Sequence, residues 1–142
     1  MRNSIVAISQ ETIQQFIEFI KLKVFDDGYI DRQEEKAILE EGVKRGIGVE
    51  SGIAVIRQVC IDHGYALERM IDERAKEVLH RFANDGQVDK KEFDDAVALY
   101  KSDCKGKVKE DDIRKRLKQI MLDNGWKAKE GGFFGTKWFS AI

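Results

Sequence analysis

Apolar residues recur along this chain at the three- and four-residue steps that place side chains on one face of an α-helix. Ile13, Phe16, Ile17, Ile20 and Val24 form the first such stripe, in a helix from about Ser9 to Val24. A second helix follows Asp31 and ends near Gly46, with Lys44 and Arg45 in its last turn and glycine after it. A third, about Glu50–Asp62, turns Ile53, Ile56, Val59 and Cys60 inward, and Gly64 is placed for a left-handed cap. The fourth spans about Ala66–Ala83 and carries Leu67, Met70, Ile71, Val78, Leu79 and Phe82. The fifth follows Asp89 with Phe93, Ala96, Val97 and Tyr100, and the sixth follows Lys109 with Ile113, Leu117, Ile120 and Met121, closing at Gly125. The end, "WKAKEGGFFGTKWFSAI", replaces helical spacing with alternation and glycines, which predicts a short hairpin or an irregular aromatic flap. The fold class predicted is all-α: a compact bundle of about six helices over residues 1–125, with residues 126–142 as an aromatic C-terminal hairpin or flap packed on the same domain.

Composition narrows the class. A length of 142 residues fits one domain, and 42% hydrophobic residues are enough for a buried core. Proline is absent, which suits uninterrupted helices and argues against a linker-rich chain. Charged residues make up 36% of the chain at a net charge of -1, the balance expected of solvated helix faces with opposed pairs. The signs are unevenly placed: residues 1–100 hold 14 Lys and Arg against 20 Asp and Glu, and residues 101–142 hold 11 against 6. Cys60 and Cys104 lie in helical contexts and are expected as free thiols of a reducing compartment. "MRNSIVAISQ" has no secretory apolar run, and Arg2 replaces the glycine that myristoylation requires. A soluble, cytoplasmic protein without membrane contact is expected.

Two acidic turns stand out, "KVFDDGYIDRQEEK" at 23–36 and "RFANDGQVDKKEFDDA" at 81–96. A calcium-binding EF-hand loop needs oxygen ligands at positions 1, 3, 5 and 9, glycine at 6 and a bidentate Glu at 12. With Gly28 at position 6, Asp27, Asp31 and Glu34 fall correctly, but Lys23 and Phe25 occupy positions 1 and 3. Arg81 and Ala83 repeat that failure around Gly86. A third loop, "KSDCKGKVKEDD", puts Lys101, Lys105 and Lys109 in ligand places. The glycines at 28, 86 and 106 also miss the repeat of roughly 36 residues that helix–loop–helix pairs keep. Helix punctuation accounts for the same residues. Asp-Gly makes a tight turn, Asp31 and Asp89 are N-caps, and Glu34 and Glu92 complete capping boxes. Val88 with Phe93, and Val108 with Ile113, stand as hydrophobic staples. No metal is therefore expected there, and no cofactor.

At these residues a resemblance emerges. "FDDGYIDRQEEKAILEEGVKRGIGVESGIAVIRQV" resembles the TerB-like helical family, named for a tellurite-resistance protein, in which an acidic Asp-Gly turn opens a helix and a Gly-Ile turn leads into another. The motif recurs once, as "FANDGQVDKKEF", so the resemblance covers about residues 13–97. It implies an interaction module near stress-response, phage-defence or chaperone systems. Metal binding by acidic clusters, suggested for some members, would fall on Asp26, Asp27, Asp31, Glu34, Asp85, Asp89 and Glu92.

No reaction chemistry is legible, and no enzyme is expected. Cys60 and His63 share a helix face but lack two further zinc ligands at a recognisable spacing. Ser140 lacks a glycine frame around a nucleophile, and the glycines of "GVKRGIGVESG" lack the Gly-Lys-Ser/Thr ending of a phosphate loop. The candidate partner-binding residues are Arg114, Lys115, Arg116, Lys118, Trp126, Phe133, Phe134 and Trp138, a basic helix beside an aromatic end. The expectation is a non-enzymatic, intracellular protein-interaction module with a protein partner, self-association between acidic body and basic tail being a further possibility. The alternatives are nucleic-acid binding through the basic helix, against which a pI of about 6.2 argues, and divalent-cation binding through the acidic turns.

Overall fold

The computed structural model describes residues 8–131 and 137–142. Among them are six α-helices: α1 (Gln10–Lys23), α2 (Arg32–Lys44), α3 (Val49–His63), α4 (Glu68–Phe82), α5 (Lys90–Asp103) and α6 (Glu110–Asp123). Four two-residue strands accompany them: β1 (Tyr29–Ile30), β2 (Ala66–Leu67), β3 (Gln87–Val88) and β4 (Lys127–Ala128). The protein is all-α, as the apolar spacing predicts. Its backbone divides into two compact units, residues 1–68 and 69–142, a division that falls inside the 1–125 span read from the sequence.

In the first unit, Ser9 caps α1 by accepting the Thr12 N–H at 3.0 Å. Phe16 and Ile20 are fully buried on the inner face of α1, and α3 lies against both α1 and α2. Gly42 of α2 makes room for Phe16: a Cβ there would stand 3.0 Å from the ring's Cζ. Strands β1 and β2 run parallel, with Tyr29 opposite Ala66 and Ile30 opposite Leu67. A parallel pair needs a long crossover, and here α2 and α3 supply it. Sequence spacing predicts Ala66 and Leu67 as the start of the fourth helix. The structure extends them instead, because Gly64 ends α3 at φ 69° and the Ala66 N–H donates to the Gly28 carbonyl at 2.8 Å.

The second unit repeats the plan. Helix α4, a 3-10 turn (Ala83–Asp85), β3, α5, α6 and β4 follow in the same order, and β3 pairs in parallel with β4. Asp27-Gly28 recurs as Asp85-Gly86, 58 positions on. Gly64-Tyr65 recurs as Gly125-Trp126, 61 positions on, and the difference is taken up around the α5–α6 connection. Gln58 donates to Asp62 at 2.7 Å, and Gln119 donates to Asp123 at the same distance. The second core gathers Val88, Phe93, Ile113, Leu117 and Met121, each at 0% exposure. Burying a side chain of this size contributes about 1.5–3 kcal/mol.

The aromatic end is a flap. Lys127 and Ala128 bond to β3, and Trp138 and Phe139 close over Phe93 at ring distances of 5.1 and 6.1 Å. Glu130 fastens it by accepting from the Phe139 N–H at 3.0 Å, the Ser140 N–H at 2.9 Å and the Ser140 hydroxyl at 2.8 Å. Phe133 and Phe134 lie outside the described residues.

Candidate interaction site

The acidic turns are committed to the backbone. Asp31 Oδ1 accepts the Glu34 N–H at 2.7 Å, and Glu34 Oε1 accepts the Asp31 N–H at 3.0 Å. Asp89 and Glu92 form the same reciprocal pair at the same distances. Asp27 and Asp85 each accept the N–H two residues on, from Tyr29 at 3.1 Å and Gln87 at 3.3 Å. Asp26 is exposed beside them. Each capping carboxylate thus satisfies helix donors that would otherwise be left without a partner. Among the described residues, no group of three or more His, Cys, Asp or Glu is placed to hold a metal ion.

The basic helix is also largely committed. Arg114 donates to Asp94 at 2.9 Å and lies 3.3 Å from Glu110, and Arg116 reaches Asp72 at 3.1 Å. Tyr100 donates to the same Asp72 at 2.7 Å, so that carboxylate ties α4, α5 and α6 together. Burial works to raise the Asp94 pKa, but hydrogen bonds and charge from Lys90 and Arg114 outweigh it and hold the carboxyl below its ordinary range. The Arg114 guanidinium is correspondingly raised, first by its bond to Asp94. Lys118 donates to the carbonyls of Phe139 and Ile142 at 2.9 and 3.2 Å and sits over the Phe139 ring. Trp126 stacks on His80 at 5.2 Å.

Arg114, Lys115 and Trp138 converge. With Lys90, Asp111, Ala141 and Ile142 they line a cleft of about 380 Å³ in the second unit. Lys90 and Arg114 are paired with Asp94 and Glu110, and Asp111 lines the cleft with Lys115, so the cleft is nearly neutral rather than a strong anion trap. Arg116, Lys118 and Trp126 do not line it.

Among the described residues, the two thiols are buried and the Ser140 hydroxyl is bonded. Burial, and then the charge of Glu35, push the Cys60 thiol up to about 11, away from the thiolate a nucleophile requires. Cys104 is buried as well. His63 stacks on Tyr65 at 5.5 Å, and Ser140 serves the Glu130 clamp.

One surface escaped the sequence reading. Phe19 and Leu22 lie off the buried stripe of α1, and Phe25 follows in the turn. Leu22 is 76% exposed and Phe25 81%. A shallow groove of about 290 Å³ runs along this side, lined by Gln14, Gln15, Glu18, Phe19, Leu22 and Arg45. The signal was in the sequence, as apolar residues on α1 out of phase with Phe16, Ile20 and Val24. The stripe of Ile13, Phe16, Ile17, Ile20 and Val24 already accounted for the helix.

Comparison of the chain with family models, with curated proteins and with solved structures finds no match. No helix among the described residues is long and apolar enough to cross a membrane.

Proposed function

We propose that the chain is a non-enzymatic interaction module of TerB-like character, serving as an intracellular adaptor in a stress-response or chaperone setting. The observation that carries this is the outward apolar side of α1, where Leu22 lines a groove at 76% exposure and Phe25 follows in the turn at 81%. Large apolar side chains grouped in water are unfavourable unless a partner covers them. The capped helices and paired charges support a rigid scaffold for such a surface. The internal pairing of Arg114 and Arg116 weighs against nucleic acid, since cations already neutralised by carboxylates release few counterions from a phosphate backbone. The test is affinity capture from native cell extract with the wild-type chain and with Leu22→Glu/Phe25→Glu. Specific retention of a protein by the wild type, lost in the variant, is expected. Equal retention by both, or turnover of a small molecule by the pure protein, overturns the proposal.

A further inference from the structure

Residues 137–142 meet the rest of the second unit as a peptide ligand meets a receptor. They form a single turn closed on itself, with the Ala141 N–H bonded to the Lys137 carbonyl and the Ile142 N–H to the Phe139 carbonyl. Glu130 accepts the Phe139 and Ser140 N–H groups and the Ser140 hydroxyl. Lys118 donates to the carbonyls of Phe139 and Ile142, and the Lys129 carbonyl accepts the Trp138 indole N–H at 3.0 Å. The Ser140 N–H, and then its hydroxyl, hold the Glu130 carboxyl below its ordinary range. The anchors are aromatic: Phe139 is 9% exposed, and both rings pack on Phe93 of α5. The repeated plan does not require this aromatic ground. Glu35 of α2 stands four residues after its capping Asp, as Phe93 does in α5, and both are buried. In the first unit β2 leads directly into α4, whereas β4 leads to the turn. Phe93 is thus matched to the turn rather than to a demand of the backbone. Nor does the turn fill the space around it: the cleft of about 380 Å³ is lined jointly by Trp138, Ala141 and Ile142 and by residues of α5 and α6.

We propose that Phe93, Lys118 and Glu130 form a docking site for a partner peptide with two adjacent aromatic residues followed by serine or threonine, and that residues 137–142 occupy it in cis as a self-inhibiting ligand. The chemistry of the partner follows from the seated turn. A carboxylate on successive main-chain N–H groups and an ammonium on main-chain carbonyls hold a turn of any sequence. The aromatic pair on Phe93 and the hydroxyl on Glu130 supply the selectivity. A partner competes with a segment of the same chain, whose effective concentration is on the order of mM. It must therefore exceed that segment in contacts, and the cleft beside Trp138 offers room for them.

The probe is a labelled synthetic peptide, Lys-Trp-Phe-Ser-Ala-Ile, copied from residues 137–142. Fluorescence anisotropy reads its binding to the full chain, and far-UV spectra show whether each variant keeps its helices. Trp138→Ala/Phe139→Ala empties the site in cis and should bind the peptide at least about tenfold more tightly than wild type. Adding Glu130→Ala to that variant should weaken binding by about tenfold or more, since the charge-assisted bonds to the peptide are lost. A peptide with Ala-Ala in place of Trp-Phe should not bind. Trp138→Ala alone, at a half-buried position, is the milder emptying and should also bind the peptide more tightly than wild type. A folded, emptied chain that does not bind the peptide, or binds it no better than wild type, overturns the site. Binding that is indifferent to Glu130→Ala overturns it too, because the peptide then sits elsewhere. If the double variant loses its helices, Trp138→Ala decides by the same criterion, and unfolding of both makes the turn part of the core and overturns the site.

Discussion

Replacing Asp89 separates a helix cap from a metal ligand. In Asp89→Ala the Glu92 N–H loses the acceptor it now has at 2.7 Å, while Glu92 keeps its own bond to the residue 89 N–H. Half of the capping box is removed, and α5 loses a negative charge at its N-terminus. Loss of a cap costs about 0.5–2 kcal/mol. Asp89 is half-buried, which places the expected loss near the middle of that range, about 1 kcal/mol. A loss of that size lowers a thermal midpoint by about 2–8 °C for units and chains of this length. Asp89→Asn keeps the acceptor and gives up only the charge at the helix end, about 0.3–1 kcal/mol. The assay is thermal unfolding of wild type, Ala and Asn variants in calcium, in magnesium and in chelator. Wild type should be most stable, Asn slightly below it and Ala lowest, in the same order in all three solutions. A cation ligand would behave otherwise, because Asn lacks the carboxylate charge that a hard ion favours. Sub-millimolar calcium raising the wild-type midpoint by several degrees, with the rise lost in Asp89→Asn, would falsify the capping account.

Asp94 gives the fold an acid-sensitive limb. Its folded-state pKa lies below the ordinary 3.8, so its contribution is present above that value and lost as pH falls through the lowered one. Acid titration of stability should therefore be shallower in Asp94→Asn than in wild type, and parallel curves would show that the Lys90–Asp94–Arg114 cluster does not act. Neither native thiol should be alkylated at about pH 8, where an ordinary cysteine already reacts, and both should be alkylated in urea. Rapid native labelling of Cys60 would contradict its burial at 2% exposure. Gly42→Ala gains about 1 kcal/mol of helix propensity but presses on the enclosed Phe16 ring, and overpacking costs about 1–3 kcal/mol. A net loss of about 1 kcal/mol is expected by urea denaturation, and a stabilised variant would mean the ring has room to move.

The helices and their caps were legible because they are local. Asp31 and Glu34, or Asp89 and Glu92, stand three residues apart, and the spacing states the bond. The short parallel strands were not, because Tyr29 meets Ala66 and Gln87 meets Lys127 only after two helices have closed the crossover. Nothing within two residues of Ala66 marks it as a strand, and its apolar neighbours fit a helix equally well. The site was legible in part for a similar reason. Arg114, Lys115 and Trp138 were named for their charge and aromaticity, and they do share a cleft. That Arg114 spends its charge on Asp94, twenty residues earlier, is a tertiary fact that composition does not contain. Phe19 and Leu22 were missed because a single stripe already accounted for α1.

The recurrence of one plan makes this chain a comparison with itself. Positions that hold the same residue in both halves, such as Asp27 and Asp85, Asp31 and Asp89 or Gly64 and Gly125, answer a demand of the backbone that both halves share. Positions that differ are free of it. Ala54 and Val55 on α3 stand where α6 carries Lys115 and Arg116. Two inheritances run along the same chain: a grammar kept twice, and a vocabulary rewritten once. Substitutions copied from one half into the other at the exposed differing positions, such as Ala54 and Lys115, exchange surface character while leaving the shared grammar in place, so there each half is a template for redesigning its twin.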